Sequence, residues 1–437
     1  MYKLIIKGGA KLSGAVSVGG AKNASLPILA ATLLAEGQYI LRNVPKLHDI
    51  GTMSKLLSQL DVQAECDKNS RFCGTDGIDI CLSSVNGDLL LTNNGGARCE
   101  ALYEVVKTMR ASILALGPLL AKRSKARVSL PGGCAIGERP VDLHISALEA
   151  MGADIKVSHG YIDAECSRLK GADITFKTIT VTGTENIMMA AVLADGVTVL
   201  QNAAQEPEIV DLANFLRRMG AKITGDGTHC IQIEGVDKLR PADYSVMPDR
   251  IEAGTFLCAV AGAGGGAVIT GAPVAEMKAL ISSLKSAGVK ITDKGGGDLF
   301  VESDGVLNAT DVTTMPYPGF PTDMQAQFMA VMTKAVGTSL INETIFENRF
   351  MHVAELKRMG ADITVKDSSA VVRGVKELSG AQVMASDLRA SAGLVIAALM
   401  ASNTSEVQRI YHLDRGYEDF EKKLALLGAD IKRVKAS

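Results

Sequence analysis

The sequence predicts an α/β protein of two lobes, each assembled from three copies of one helix-and-strand unit. Three observations carry that prediction. A segment near the end of each unit recurs six times, a run of apolar residues recurs ahead of each copy, and the composition suits large buried cores. The recurring segment reads Leu148-Glu-Ala-Met-Gly-Ala-Asp-Ile155, then Leu216-Arg-Arg-Met-Gly-Ala-Lys-Ile223, Leu284-Lys-Ser-Ala-Gly-Val-Lys-Ile291, Leu356-Lys-Arg-Met-Gly-Ala-Asp-Ile363 and Leu424-Ala-Leu-Leu-Gly-Ala-Asp-Ile431. A degraded first copy is Leu57-Ser-Gln-Leu-Asp-Val-Gln-Ala64. Successive copies start 91, 68, 68, 72 and 68 residues apart. The first interval therefore carries an insertion of roughly twenty residues over the common period.

Each copy reads as a helix end, a Gly where the backbone turns to positive φ, and an apolar alternation that starts a strand. The upstream element is a helix apolar nearly all round, which is how helices inside a domain look. These runs follow Lys22-Asn-Ala-Ser, Arg110-Ala-Ser, Glu185-Asn, Asp249-Arg-Ile-Glu, Asp323-Met-Gln and Asp387-Leu-Arg-Ala-Ser. Each unit thus supplies one buried helix, one amphipathic helix and several strands, with the buried helices expected at the centre and the sheets outside them. The 437 residues are 47% hydrophobic and 22% charged, and two domains of three repeats are the simplest partition. The expected domains are residues 22–248 and residues 1–21 with 249–437.

Composition also excludes whole classes of function. A net charge of -2 and a pI near 6.3 do not make a nucleic-acid footprint, and without Trp, at 4% aromatic content, stacking platforms for bases are unexpected. Residues 1–7 begin a strand rather than a signal peptide. The uncharged stretch Ala253 to Ala275 is broken by six glycines, so it predicts a buried helix, a turn and a strand, not a membrane span. A soluble, cytoplasmic chain is expected, with no membrane insertion and no obligate protein partner evident. The eight cysteines form no CxxC pair and have no His at ligand spacing, so thiols are expected, with no metal and no cofactor. Two Gly-rich strings are set aside. Gly262 to Ala267 follows a helix and precedes a strand, the reverse of a dinucleotide fingerprint, and Gly19-Gly-Ala-Lys-Asn lacks phosphate-loop spacing.

Cys134 stands apart because Pro131-Gly-Gly-Cys-Ala-Ile-Gly-Glu-Arg-Pro140 is a Gly-punctuated loop. Such a loop exposes a thiol, and Arg139 could lower its pKa, although an incidental surface cysteine reads the same way locally. Cations recur at the starts of the buried helices, at Lys22, Arg110, Arg250 and Arg389, where the helix dipole disfavours them by some tenths of a kcal/mol. An anionic ligand would offset that, since free N–H groups there attract phosphate or carboxylate. The alternative is solvation or pairing with a nearby acid, Arg250 with Asp249 and Arg389 with Asp387. The loops before the amphipathic helices form another equivalent set that includes Arg349 and Arg415. Together with Lys22, Arg110, Arg139 and Arg389 they imply a focused positive field in a nearly neutral protein, suited to a small polyanionic substrate.

Lys22-Asn23, VKTMRAS (106–112), SLPGGCAIGERPVDLH (129–144), EPEIVD (206–211), PDRIE (248–252), FPTDMQAQF (320–328), FENRFMH (346–352), LSGAQVMASDLRAS (378–391) and IYHLDRGYE (410–418) together resemble the UDP-N-acetylglucosamine enolpyruvyl transferases. The resemblance runs through the whole chain in order, apart from the stretch near residues 70–98. It implies two inside-out α/β barrel-like domains, each of three βαβαββ repeats. It implies transfer of the enolpyruvyl group of phosphoenolpyruvate to the 3'-hydroxyl of UDP-N-acetylglucosamine with release of phosphate, the first committed step of peptidoglycan synthesis. By the same resemblance Cys134 is the general acid and the target of the epoxide fosfomycin, and Asp323 takes the sugar hydroxyl proton. Lys22, Arg139 and Arg415 hold phosphoenolpyruvate, with Arg349 and Arg389 on its carboxylate side. Asn23, Arg110, Pro140, Val141, Asp142, Leu143, Thr180, Val181 and Ile345 match sugar-nucleotide contacts.

The chemistry suits those residue types. Arginine neutralises the donor's anions without becoming a nucleophile, and a thiol can release and recover a proton near neutral pH. Read locally, Asp323 is an ordinary helix N-terminal acid, and only the resemblance makes it catalytic. His48 and His144 fit structural hydrogen bonding and ligand contact equally. Glu138 puts a negative charge beside Arg139, and Lys177 lies one position from a pyrophosphate-contacting lysine of the family.

Overall fold

The computed structural model describes residues 2–65, 71–73, 79–81, 84–85, 88–106, 109–130 and 141–435. Cys134, Arg139 and Pro140 lie outside that set. The described residues divide into two compact units, one of 2–19 with 248–435 and the other within 20–247. Each has its own apolar core. Leu29, Leu116, Ile187 and Phe215 are fully buried in one, and Phe256, Phe328, Leu394 and Phe420 are buried in the other.

Among the described residues the six principal sheets follow one plan, a parallel edge strand, two central strands and an antiparallel return. Asp173–Thr175 runs parallel to Val197–Gln201, which pairs antiparallel with Cys230–Glu234, itself paired with Lys222–Thr224. Val312–Thr313, Thr338–Asn342, Ser369–Arg373 and Asp362–Lys366 repeat that order. One sheet borrows a strand from the far end of the chain. Tyr2–Lys7 sits between Thr404–Gln408 and Asp430–Lys435, antiparallel to both. Leu12–Ser17 likewise runs parallel to Gly265–Thr270. In the other unit Tyr244–Ser245 supplies the parallel edge beside Gly37–Arg42.

The helices lie inside this frame. Arg250–Ala263, Gln325–Met332 and Leu388–Met400 pack against one another, and nearly every residue of each is buried. Their approach demands a small residue, since a Cβ on Gly393 would lie 2.8 Å from the carbonyl oxygen of Ala326. Lys22–Ala31, the turn Arg110–Ala115 running into Leu116–Arg123, and Val181–Ala191 fill the same role in the other unit. The third of these starts four residues earlier than Glu185 suggested, because Thr180 accepts the N–H of Gly183 and caps the helix. The uncharged stretch resolves into helix Arg250–Ala263 and strand Gly265–Thr270.

The recurring segment behaves as its spacing predicts. Helix Pro207–Met219 ends on Gly220 at φ +108°, and strand Lys222–Thr224 follows. In the degraded first copy Asp61 stands where the others have Gly, and it takes the left-handed conformation at φ +66°. Asp tolerates that region better than most side chains. No helix among the described residues is long and apolar enough to cross a membrane, and none of their His, Cys, Asp or Glu side chains cluster as a metal site.

Candidate functional site

In the unit of residues 248–435 a buried charge cluster gathers around Asp323. The turn Thr322–Met324 presents it at the head of the buried helix Gln325–Met332. Its carboxylate does not cap that helix. Oδ1 accepts Nη2 of Arg349 at 2.9 Å, and Oδ2 accepts Nε of Arg389 at 3.1 Å with Nη2 at 2.9 Å. The two arginine side chains are 3% exposed and that of Asp323 about a quarter exposed, so the acid is the more open member of a buried cluster. Burial pushes the Asp323 carboxyl up, but the charges of Arg389 and Arg349 outweigh it and hold the group well below the usual carboxylate range.

The pairing corrects a local expectation. Arg389 does not pair with Asp387, because that carboxylate accepts the backbone N–H groups of Arg389 and Ala390 at 3.0 Å each. Asp249 likewise caps its helix through the N–H groups of Ile251 and Glu252, while the guanidinium of Arg250 lies 5.7 Å from the centre of the Tyr317 ring. Capping by the two acids leaves the helix-start arginines to other partners. Arg389 also stacks over the Tyr417 ring at 5.5 Å, and Arg349 over Phe346 at 5.3 Å. Arg415 lies in the turn Leu413–Arg415, next to Asp414, which Arg433 clamps through both carboxylate oxygens at 2.6 and 3.0 Å. Ile345 sits three residues past strand Thr338–Asn342, half-buried, its N–H donated to Glu343 at 2.9 Å.

In the unit of residues 20–247, Lys22 is the first residue of its buried helix and is itself buried. Its ammonium meets Asp49 at 2.7 Å, and that acid, 2% exposed, opens the first turn of helix His48–Gln59. The dipole penalty at Lys22 is thus offset by a protein carboxylate. Asp49 was not among the expected site residues, since an acid in the first turn of an amphipathic helix is unremarkable in sequence. Asn23, the next residue, is exposed. Arg110 begins the turn Arg110–Ala115 and is half-buried.

Val141, Asp142 and Leu143 open helix Asp142–Ala150, with Asp142 exposed and Leu143 leaning on the core. Thr180 and Val181 open helix Val181–Ala191. His144 and Asn186 tie these two helix starts together. Nδ2 of Asn186 donates to Nδ1 of His144 at 2.9 Å and to the carbonyl of Ile113 at 3.2 Å. Its Oδ1 accepts the N–H of Gly117 at 2.7 Å. One amide therefore fixes the segments carrying Arg110, Asp142 and Thr180, and His144 takes a structural role.

Burial pushes the His144 imidazole down to about 4, the charge of Arg110 adds to that, and Asp142 opposes it. A folded pKa below the unfolded value of 6.5 means that the unfolded chain binds more protons between those values. Stability from this group is therefore complete above pH 6.5 and lost as pH falls toward 4. His352 in the other unit is shifted the same way, so the test must be differential. In His144→Asn, Oδ1 can replace Nδ1 as acceptor without a titrating ring. Its melting temperature should fall less than that of the natural chain between pH 7 and pH 5, by about a few degrees. Equal falls would remove His144 from the acid response.

The model of the family EPSP synthase (3-phosphoshikimate 1-carboxyvinyltransferase) matches residues 6–424. A relative from Geotalea uraniireducens, UDP-N-acetylglucosamine 1-carboxyvinyltransferase, is 55% identical over 434 residues, 99% of this chain and 100% of its own. One of the same name from Myxococcus xanthus is 53% identical over 436 residues, covering 100% of both. These alignments run through the stretch near residues 70–98 that the motifs leave out. Among solved structures, the enolpyruvyl transferase NikO from Streptomyces tendae superposes with a TM-score of 0.85 at 24% identity, over 100% of this chain and 99% of that one. EPSP synthase from Acinetobacter baumannii gives 0.75 at 18% identity, over 100% of both chains. Both show that the fold is that of the enolpyruvyl transferases.

Proposed function

Because the chain belongs to the EPSP synthase family and, within it, to the UDP-N-acetylglucosamine 1-carboxyvinyltransferases, we propose that it transfers the enolpyruvyl group of phosphoenolpyruvate to the 3'-hydroxyl of UDP-N-acetylglucosamine. Phosphate is released, and the product enters peptidoglycan synthesis in the cytoplasm. The observation that carries the chemistry is the Asp323 cluster, an ionised carboxylate held about a quarter exposed by two buried arginines. The roles implied by resemblance fit it. The 3'-oxygen bonds to C2 of the donor as Asp323 takes its proton and Cys134 protonates C3. Phosphate then leaves from C2, and C3 gives its proton back, which restores the double bond.

A carboxylate stabilised this strongly is a weak base at rest. A donor carboxylate that draws hydrogen bonds from Arg349 and Arg389 would strip part of that stabilisation from Asp323 and raise its basicity where the hydroxyl arrives. Lys22, Arg139 and Arg415 bind the donor in this reading. Asn23, Arg110, Pro140, Val141, Asp142, Leu143, Thr180, Val181 and Ile345 bind the sugar nucleotide. No cofactor or metal takes part, because the leaving group is already activated as a phosphate ester and its charge is met by fixed cations.

Incubation of the purified protein with both substrates should release inorganic phosphate, with neither substrate sufficing alone. Folded protein that releases none would overturn the proposal. Equal release with 3-phosphoshikimate in place of the sugar nucleotide would overturn the acceptor assignment.

A further inference from the structure

Strand Thr338–Asn342 runs directly into Glu343, whose side chain is 2% exposed. Its carboxylate accepts four hydrogen bonds. Oε1 takes the hydroxyl of Thr314 at 2.8 Å and the N–H groups of Ile345 at 2.9 Å and Phe346 at 3.2 Å. Oε2 takes the hydroxyl of Thr322 at 2.8 Å. Thr314 in turn accepts the N–H of Thr344 at 2.9 Å. These donors come from three separate places in the chain. Thr314 follows the edge strand Val312–Thr313, Thr322 opens the turn that presents Asp323, and Ile345 and Phe346 begin the loop that ends on Arg349.

A buried carboxylate is costly, and here neutral donors from several directions meet it. As a cap for its own loop, Oε1 alone would suffice. Oε2 reaches across to the residue before Asp323, so the two sides of the Asp323–Arg349 ion pair share a second, purely internal tie. We propose that Glu343 is a positioning residue for the transfer reaction, setting the register between the Asp323 turn and the Ile345–Arg349 loop. The proposal rests on the enolpyruvyl-transfer reading for its kinetic consequence and on the hydrogen bonds alone for its structural one.

Two variants separate positioning from bulk stability. In Glu343→Gln the amide oxygen can keep the three Oε1 bonds, and the Thr322 hydroxyl can rotate to accept from the new NH2. In Glu343→Ala all four donors lose their acceptor. Misplacement by about 1 Å can cost roughly 100-fold in rate. Well below its melting temperature, Glu343→Ala should therefore lose about that much in kcat/KM. Glu343→Gln should stay within roughly tenfold of the natural chain, a rescue by the conservative replacement. Hydrogen exchange without substrates gives the second readout. In Glu343→Ala the amides of Ile345, Phe346 and Met324 should exchange faster together, while those in the middle of helix Gln325–Met332 hold their rates. Natural kcat and KM in Glu343→Ala, or faster exchange confined to residues 345 and 346, would overturn the proposal. If the natural chain itself releases no phosphate, the functional reading fails and the exchange result still decides whether Glu343 couples the two segments.

Discussion

Replacing Asp323 by alanine should destabilise the unit of residues 248–435 by about 3–5 kcal/mol, the usual cost of stripping one partner from a buried ion pair, and should abolish measurable phosphate release. Arg349 and Arg389 are almost wholly buried, and the one carboxylate takes a hydrogen bond from each. Without it two like charges face each other in a poorly solvated place. Asp323→Asn separates stability from chemistry, because it keeps the volume and one acceptor oxygen while removing the charge and the basicity. It should unfold at a denaturant concentration between those of the natural chain and Asp323→Ala, yet lose about 100-fold to 10,000-fold in kcat, the range general-base removal produces. An Asn variant within tenfold of the natural rate would exclude the carboxylate as base.

The depressed pKa of Asp323 adds a pH signature. A carboxyl whose folded pKa lies below its unfolded value contributes stability that is present above the unfolded pKa and is lost only as pH falls through the folded one. The Asp323 contribution should therefore persist at pH 5, where the contribution of His144 is already shrinking. Melting temperatures of Asp323→Asn and the natural chain should accordingly differ as much at pH 5 as at pH 7. Convergence at pH 5 would show that the carboxylate titrates in the ordinary range.

The second large effect falls on Cys134. A thiol that protonates a carbon has no substitute in alanine, and loss of a general acid costs about 100-fold to 10,000-fold. Cys134→Ala should bind the sugar nucleotide with near-natural affinity and release phosphate at least about 100-fold more slowly. Fosfomycin, added with UDP-N-acetylglucosamine, should add one adduct to the intact mass of the natural chain and none to Cys134→Ala. Unmodified natural protein under those conditions would argue against an activated thiol, and modification of both would place the reactive sulfur elsewhere.

Part of each unit's charge pattern could be read from local sequence. Lys22, Arg110, Arg250 and Arg389 do stand at the starts of buried helices, and an apolar run beginning with a cation is visible without any partner. Their partners could not be read. Asp387, two residues away, was the obvious match for Arg389, and the structure uses that acid as a cap and brings Asp323 from 66 residues upstream. No local pattern marks Glu343. Its carboxylate stands two residues before the Ile345 N–H it accepts, a spacing typical of local turns, but nothing local shows Thr322 on its other oxygen.

By itself the sequence determined the recurring unit, its buried and amphipathic helices and the left-handed Gly that ends the helix in five of the six copies. Those features follow from helical period, strand alternation and the φ preferences of Gly and Asp, which act over a few residues. Only the tertiary structure decided which strand closes each sheet and which cation meets which acid. Tyr2–Lys7 lies between strands some 400 residues later in the chain. Such pairings are selected by burial of whole faces and by the cost of leaving any charge inside unmatched, and both depend on the assembled fold rather than on neighbours in sequence.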